Sequence, residues 1–101
     1  MLDTERLNYS LHMLKGRFAR IQKNFIEGKL VKVKEYSDIY TNVSDLLFSV
    51  DTLMPIAIQQ CAEYPTVTNR NRLEFFKTHK YDVLGLFKDV KELGNQINKK
   101  H

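Results

Sequence analysis

Apolar residues recur along this chain at alternating intervals of three and four. Leu7, Leu11, Leu14, Phe18, Ile21 and Phe25 form the first series. A period near 3.5 residues places such positions on one face of a helix, so the spacing predicts a helix over about 3–27. Asp3 or Thr4 suits its start, and Gly28 suits the left-handed position just past its last turn. A second series predicts a helix over about 30–63: Val33, Tyr36, Tyr40, Val43, Leu47, Val50, Met54, Ala57 and Cys61, widened by Ile39, Leu46 and Leu53. So broad a face suits a central helix touched on two sides. Pro55 removes one helical hydrogen bond and crowds the preceding turn, which predicts a kink or break there. Alternation in Leu30-Val31-Lys32-Val33-Lys34 also fits a short strand, but no other segment offers it a partner. Tyr64 to Asn69 reads as a linker. A third series, Phe76, His79, Val83, Leu86, Val90, Leu93 and Ile97, predicts a helix over about 69–99. Asn71-Arg72-Leu73-Glu74 has the spacing of a capping box, with Thr68 or Asn69 as earlier caps.

Three amphipathic helices with short connections form a single all-α domain over 1–101. The expected architecture is an antiparallel three-helix bundle, or a helical hairpin that completes a larger bundle as a dimer. At 101 residues and 43% hydrophobic composition the chain has the means for one core.

Charge adds a second pattern. Residues 1–34 carry eight Lys/Arg and three acids, residues 35–69 carry five acids and no Lys/Arg, and residues 70–101 carry eight Lys/Arg and four acids. A basic chain thus surrounds an acidic, apolar middle, and packing the three segments together brings opposite charges to their edges. Cys61 is the only cysteine, so no internal disulfide forms, which fits a reducing compartment. The charged start has no apolar run behind it, and the greasiest stretch is interrupted by Ser49, Asp51, Thr52 and Pro55. The expectation is a cytoplasmic protein without a membrane-inserted segment. Abundant Lys, Asn, Ile and Tyr fit an AT-rich microbial, phage or mobile-element genome.

The sharpest local motif is His12-Met13-Leu14-Lys15-Gly16. With Leu7, Leu11 and Leu14 facing the core, His12, Lys15 and Gly16 fall on the outer side. An exposed imidazole is a nucleophile for a phosphoryl group, and a cation one turn away steadies the phosphate. At these residues the chain resembles histidine phosphotransfer domains, helical bundles that pass phosphate to a receiver-domain aspartate. Leu14, Lys15, Gly16 and Ile21 stand where that family has an aliphatic, Lys, Gly and a further aliphatic. The resemblance implies that His12 is the phosphorylated residue. The chain departs from the pattern at Arg17 and Phe18, where small residues are usual, and at Gln22, where glycine is frequent.

Other residues carry less chemistry. His79 lies on the third apolar stripe and reads as a hydrogen-bonded histidine at the core edge. His79 and Asp82 share a helix face, but two residues do not make a metal site. Cys61 reads as a small buried hydrophobe. No catalytic ordering, phosphate loop or zinc spacing occurs, so the expectation is a non-enzyme without cofactor or metal. Arg17, Arg20, Lys23, Lys32, Arg70 and Arg72 are candidates for nucleic-acid phosphates, without a helix-turn-helix or base-stacking motif beside them.

Phe48 stands out because its outer neighbours are Thr41, Asn42, Ser44, Asp45, Asp51 and Thr52. Left uncovered, it marks a contact with another protein or a second copy. Ile56 and Ile58 beside Pro55 extend that candidate surface, and Tyr81 is a second exposed aromatic. The leading expectation is a protein–protein interaction module: an adaptor, inhibitor, chaperone or mobile-element accessory protein, alone or as a homodimer. Histidine phosphotransfer through His12 and nucleic-acid binding through the basic flanks are the alternatives.

Overall fold

A computed structural model of the chain describes residues 3–100 and contains three α-helices: α1 (Asp3–Ile26), α2 (Val33–Glu63) and α3 (Val67–Lys100). They form an elongated antiparallel three-helix bundle of 53 × 22 × 17 Å. Three contacts set the α2–α3 register: Tyr36 meets Val90, Asp51 meets Lys80, and Gln60 meets Arg72. The numbers rise on α2 as they fall on α3, as antiparallel neighbours require. α2 and α3 share by far the most extensive interface, and α1 packs against both.

The predicted stripes of α1 and α3 are the observed ones. Leu7, Leu11, Leu14, Phe18 and Ile21 are buried, with Phe25 partly buried at the end. On α3, Phe76, His79, Val83, Leu86, Val90 and Leu93 are buried, and Ile97 is partly so. The centre of the α2 face differs from the expected line. Ile39, Val43, Leu46, Val50 and Ala57 are the buried residues, whereas Val33 and Tyr40 are exposed and Tyr36, Leu47 and Met54 only partly buried. Two flanking helices turn the face toward their shared axis, so the residues expected only to widen the stripe include its centre.

The helix ends also differ. α1 is already helical at Asp3, so its capping position lies outside the described residues. At the other end Gly28 has φ +77°, with Gly28 N–H donating to the Phe25 carbonyl at 3.1 Å and Lys29 N–H to the Asn24 carbonyl at 2.8 Å. This paired closure satisfies two of the orphan carbonyls of the last turn. No strand forms among the described residues: the 29–32 segment has no regular structure and α2 begins at Val33, three residues later than expected. α2 runs through Pro55 as one helix rather than breaking. Pro55 is exposed, so the missing hydrogen bond lies on the watered side, where it is least damaging.

The second connection is shorter than predicted because Thr66, rather than Thr68, Asn69 or Asn71, caps α3. Its Oγ1 accepts the Asn69 backbone N–H at 3.1 Å. The Asn69 side chain in turn donates to the Tyr64 carbonyl at 2.8 Å and the Gln60 carbonyl at 3.4 Å. One residue therefore closes the end of α2 and the start of α3 together.

Opposite charges meet at helix edges as the charge pattern implies. Arg20 pairs with Glu35 at 2.8 Å between α1 and α2, and Lys80 with Asp51 at 3.0 Å between α3 and α2. These pairs are well exposed and contribute about 0–1 kcal/mol each, enough to favour register rather than hold the fold.

Candidate functional site

The outer face of α2 carries the candidate docking residues. Phe48 is 73% exposed although it sits in the middle of the longest apolar stretch. Around it stand short side chains, Ser44 and Thr52, and two carboxylates, Asp45 and Asp51, the latter paired with Lys80 at 3.0 Å. Ser44 Oγ donates to the Tyr40 carbonyl at 2.9 Å, Ser49 Oγ to the Asp45 carbonyl at 3.0 Å, and Thr52 Oγ1 to the Phe48 carbonyl at 2.9 Å. A hydroxyl that donates back to its own helix keeps a satisfied donor when water leaves. This makes the hydroxyl part of the rim less costly to dry than free hydroxyls would be, while Asp45 and Asp51 favour the wetted edge of any interface.

The other three candidates are exposed too, but they do not all join Phe48. Ile56 and Ile58 are two residues apart, about 200° around the helix. Ile58 follows Asp51 by two turns and shares the flank that meets Lys80 of α3. Ile56 follows Ser49 by two turns, and Ser49 lines a groove against α1 with Leu7, Ser10 and Leu14. Around the helix, exposed Pro55 falls nearly in line with Phe48, and Ile58 and Ile56 lie about 80° to either side of it. Tyr81 is 79% exposed on the outer surface of α3, on a different helix from Phe48.

His12, Lys15 and Gly16 are all exposed, as the phosphotransfer reading requires. A methyl group built on Gly16 would meet nothing, so no packing contact inside the bundle explains this glycine. His12 and Lys15 line an open groove of about 420 Å³ between α1 and α3, together with Glu5, Asn8, Tyr9, Leu11 and Asp82. The two carboxylates there oppose a second negative charge on His12.

Near that groove, on the side of α3 facing α1, lies His79. It is 3% exposed, stacks on Phe75 with ring centres 5.2 Å apart and planes 18° from parallel, and its Nε2 has no hydrogen-bond partner. The expected satisfied histidine is thus buried deeper than foreseen, with Nε2 unpaired. Burial pushes its pKa below the ordinary 6.5; Asp82 pulls the other way, and the Lys15 charge adds to the lowering.

The basic candidates do not form one surface. Arg17, Arg20, Lys23 and Lys32 belong to α1 and the first connection, whereas Arg70 and Arg72 stand at the start of α3, toward the opposite end of the bundle. Arg20 is held by Glu35, Lys23 approaches Glu27 at 3.9 Å, and Arg72 donates to Gln60 while lying over the Phe76 ring. No group of three or more His, Cys, Asp or Glu converges as a metal site among the described residues. Cys61 is partly buried and unpaired.

Two features escaped the sequence pattern. A cleft of about 400 Å³ opens between the start of α2 and the end of α3, lined by Val31, Val33, Tyr36, Tyr40, Lys91 and Ile97, among others. Beside it Ile26 at the end of α1, Leu30 in the first connection and Val33 at the start of α2 are all exposed. The Leu30–Lys34 alternation puts Val31 and Val33 on one side, where both line the cleft, and marks Leu30 as the outward apolar residue.

Comparison with known proteins finds no matching family, no similar curated protein and no similar solved structure.

Proposed function

We propose that this protein is a small cytoplasmic helical module that works by binding another protein, a second copy of itself included, through the outer face of α2. The observation that carries this reading is Phe48: a large aromatic, mostly exposed, flanked by Ser44 and Thr52, whose hydroxyls are bonded to their own helix, and by the carboxylates Asp45 and Asp51. Aromatic anchors of this kind dominate the energetics of many protein interfaces. Pro55, with Ile56 and Ile58 on either flank, extends the surface along α2, and Tyr81 on α3 is a separate, smaller contact. The test is Phe48→Ser, read by solution mass and by crosslinking or pull-down from native lysate. The reading expects loss of association with the melting curve unchanged. Unchanged association in the substituted protein would sink it.

Phosphotransfer through His12 is a second reading, favoured by the shared exposure of His12, Lys15 and Gly16. It expects acid-labile phosphate on the protein after incubation with phosphorylated receiver domains, and none in His12→Gln. A panel of receivers and kinases that never labels the native chain ends it.

A further inference from the structure

The first connection is a preformed apolar and basic tip. The Gly28 and Lys29 N–H groups close α1, and the chain then runs without regular structure to Lys32, which is extended (φ −70°, ψ 129°) just before α2. Val31 tucks against the core in the middle of that run. Leu30 and Lys32 on either side of Val31 are exposed. Ile26, Leu30 and Val33 are 76%, 80% and 81% exposed. Interleaved with them, Lys29, Lys32 and Lys34 are exposed as well. Asn98 and Ile97 line the neighbouring cleft with Val31 and Val33, so α3 brings its own last turn, with Lys99, to the same end of the bundle. α2 also begins here without a side-chain cap, leaving the positive end of its dipole at the tip.

We propose that this tip docks on an anionic lipid surface, with Ile26, Leu30 and Val33 entering the headgroup boundary and Lys29, Lys32 and Lys34 meeting the acidic headgroups. At this end of the bundle Arg20, Lys23, Lys29, Lys32, Lys34 and Lys99 outnumber Glu27, Glu35 and Asp38; this excess supplies the attraction, and the chemistry of the side chains selects lipid over other acidic partners. The exposed apolar residues are aliphatic, whereas nucleic-acid surfaces use aromatic side chains for stacking. The cations are lysines, a residue depleted from protein interfaces. Lysine suits a bilayer boundary because its stem lies in the apolar zone while the ammonium reaches the headgroups. The ion pairs Lys29–Glu27 at 3.0 Å and Lys34–Asp38 at 3.1 Å are solvent-exposed and exchange readily for lipid phosphate. The site also suits peripheral binding: no helix among the described residues is long and apolar enough to cross a membrane. This surface lies apart from the Phe48 face and stands independently of it.

The test is sedimentation of the full chain with phosphatidylcholine vesicles, with and without phosphatidylserine, at low and physiological salt. Binding is expected only with phosphatidylserine and is expected to fall as salt rises. Leu30→Ser with Val33→Ser, and separately Lys29→Glu with Lys32→Glu, should each weaken it about tenfold or more. All four side chains are exposed, so melting curves should match the native protein and show that lost binding is not lost folding. Three results would overturn the proposal: no sedimentation of the native chain at low salt, full binding by both double variants, or retention by RNA under conditions where the vesicles leave the protein in solution.

Discussion

The α2–α3 seam and the seam that holds α1 are built differently. Between α2 and α3 polar groups at the interface find partners. Tyr36 crosses over Gly94 and donates its hydroxyl to the Val90 carbonyl at 2.7 Å. Burial, with Tyr40 next to it, holds that phenol above its ordinary range despite an opposing backbone hydrogen bond, so it remains a donor. Tyr40 packs on Phe87 with ring centres 5.3 Å apart, and Lys91 lies 4.3 Å over the Phe87 ring. Asn69 ties the two helix ends together. Among the described residues, the α1 seam rests on its Leu-Phe-Ile stripe, the partly exposed Arg20–Glu35 ion pair, and a contact zone that includes the unpartnered His79 nitrogen. A seam with satisfied polar contacts has one register. A seam held mainly by apolar area, which is not directional, is the one that opens first.

Ile21→Ala attacks the α1 seam at its most buried residue and should remove about 2–5 kcal/mol. Hydrogen exchange should accelerate in α1 before α2 and α3. Equal acceleration in all three helices would show one cooperative unit and erase the distinction. Gly94→Ala attacks the other seam, because the new methyl would collide with the Tyr36 hydroxyl. It should cost about 2–4 kcal/mol through overpacking and the lost hydrogen bond. Tyr36→Phe in the same chain should restore part of that loss, since it removes the nearer of the two colliding atoms, the hydroxyl oxygen, and leaves the ring carbon. A neutral Gly94→Ala in urea denaturation would mean that the ring does not cross there.

His79 gives the α1 seam a pH dependence. Its folded pKa is lowered, so the unfolded chain binds the proton more readily. Stability should be full above about pH 6.5 and should fall as the pH drops below 6.5 toward and through the lowered folded value. Asp82 and Lys15 face the imidazole with opposite effects, so neither charge alone sets the profile. His79→Leu should flatten that part of the profile and add about 1 kcal/mol at neutral pH by removing an unpaired buried nitrogen. An unchanged acid profile would place the sensitivity elsewhere. Phe48→Ser should have the smallest effect on stability, within about 0.5 kcal/mol, because the ring belongs to neither seam.

Much of the fold is legible in the periodicity, and less of the candidate site. The spacing of Leu7 to Ile21 and of Phe76 to Leu93 names the buried residues of α1 and α3, because a helix with one apolar stripe has one face to bury. The same spacing misplaces the centre of α2, where two neighbours compete for a broad face. Local capping chemistry is legible at Gly28, since the left-handed position there favours glycine, but not at Thr66, where several hydroxyl and amide residues stand in a row. Phe48 is identifiable as off-stripe, but its exposure depends on whether a neighbour covers it. The spacing puts Ile56 and Ile58 on opposite flanks of Phe48, but which neighbouring helix each flank meets depends on the packing.

The sequence by itself determined that this chain is all-α, where its stripes fall, and that its acidic middle is matched by basic segments. Those follow from local geometry, because helical period and charge are properties of neighbouring residues. Only the tertiary structure decided that Tyr36 closes over Gly94, that the His79 nitrogen goes unpaired, and that Ile26, Leu30 and Val33 emerge together beside lysines. These depend on residues distant in the chain sharing one volume, and a one-dimensional period does not encode which surfaces that sharing leaves bare.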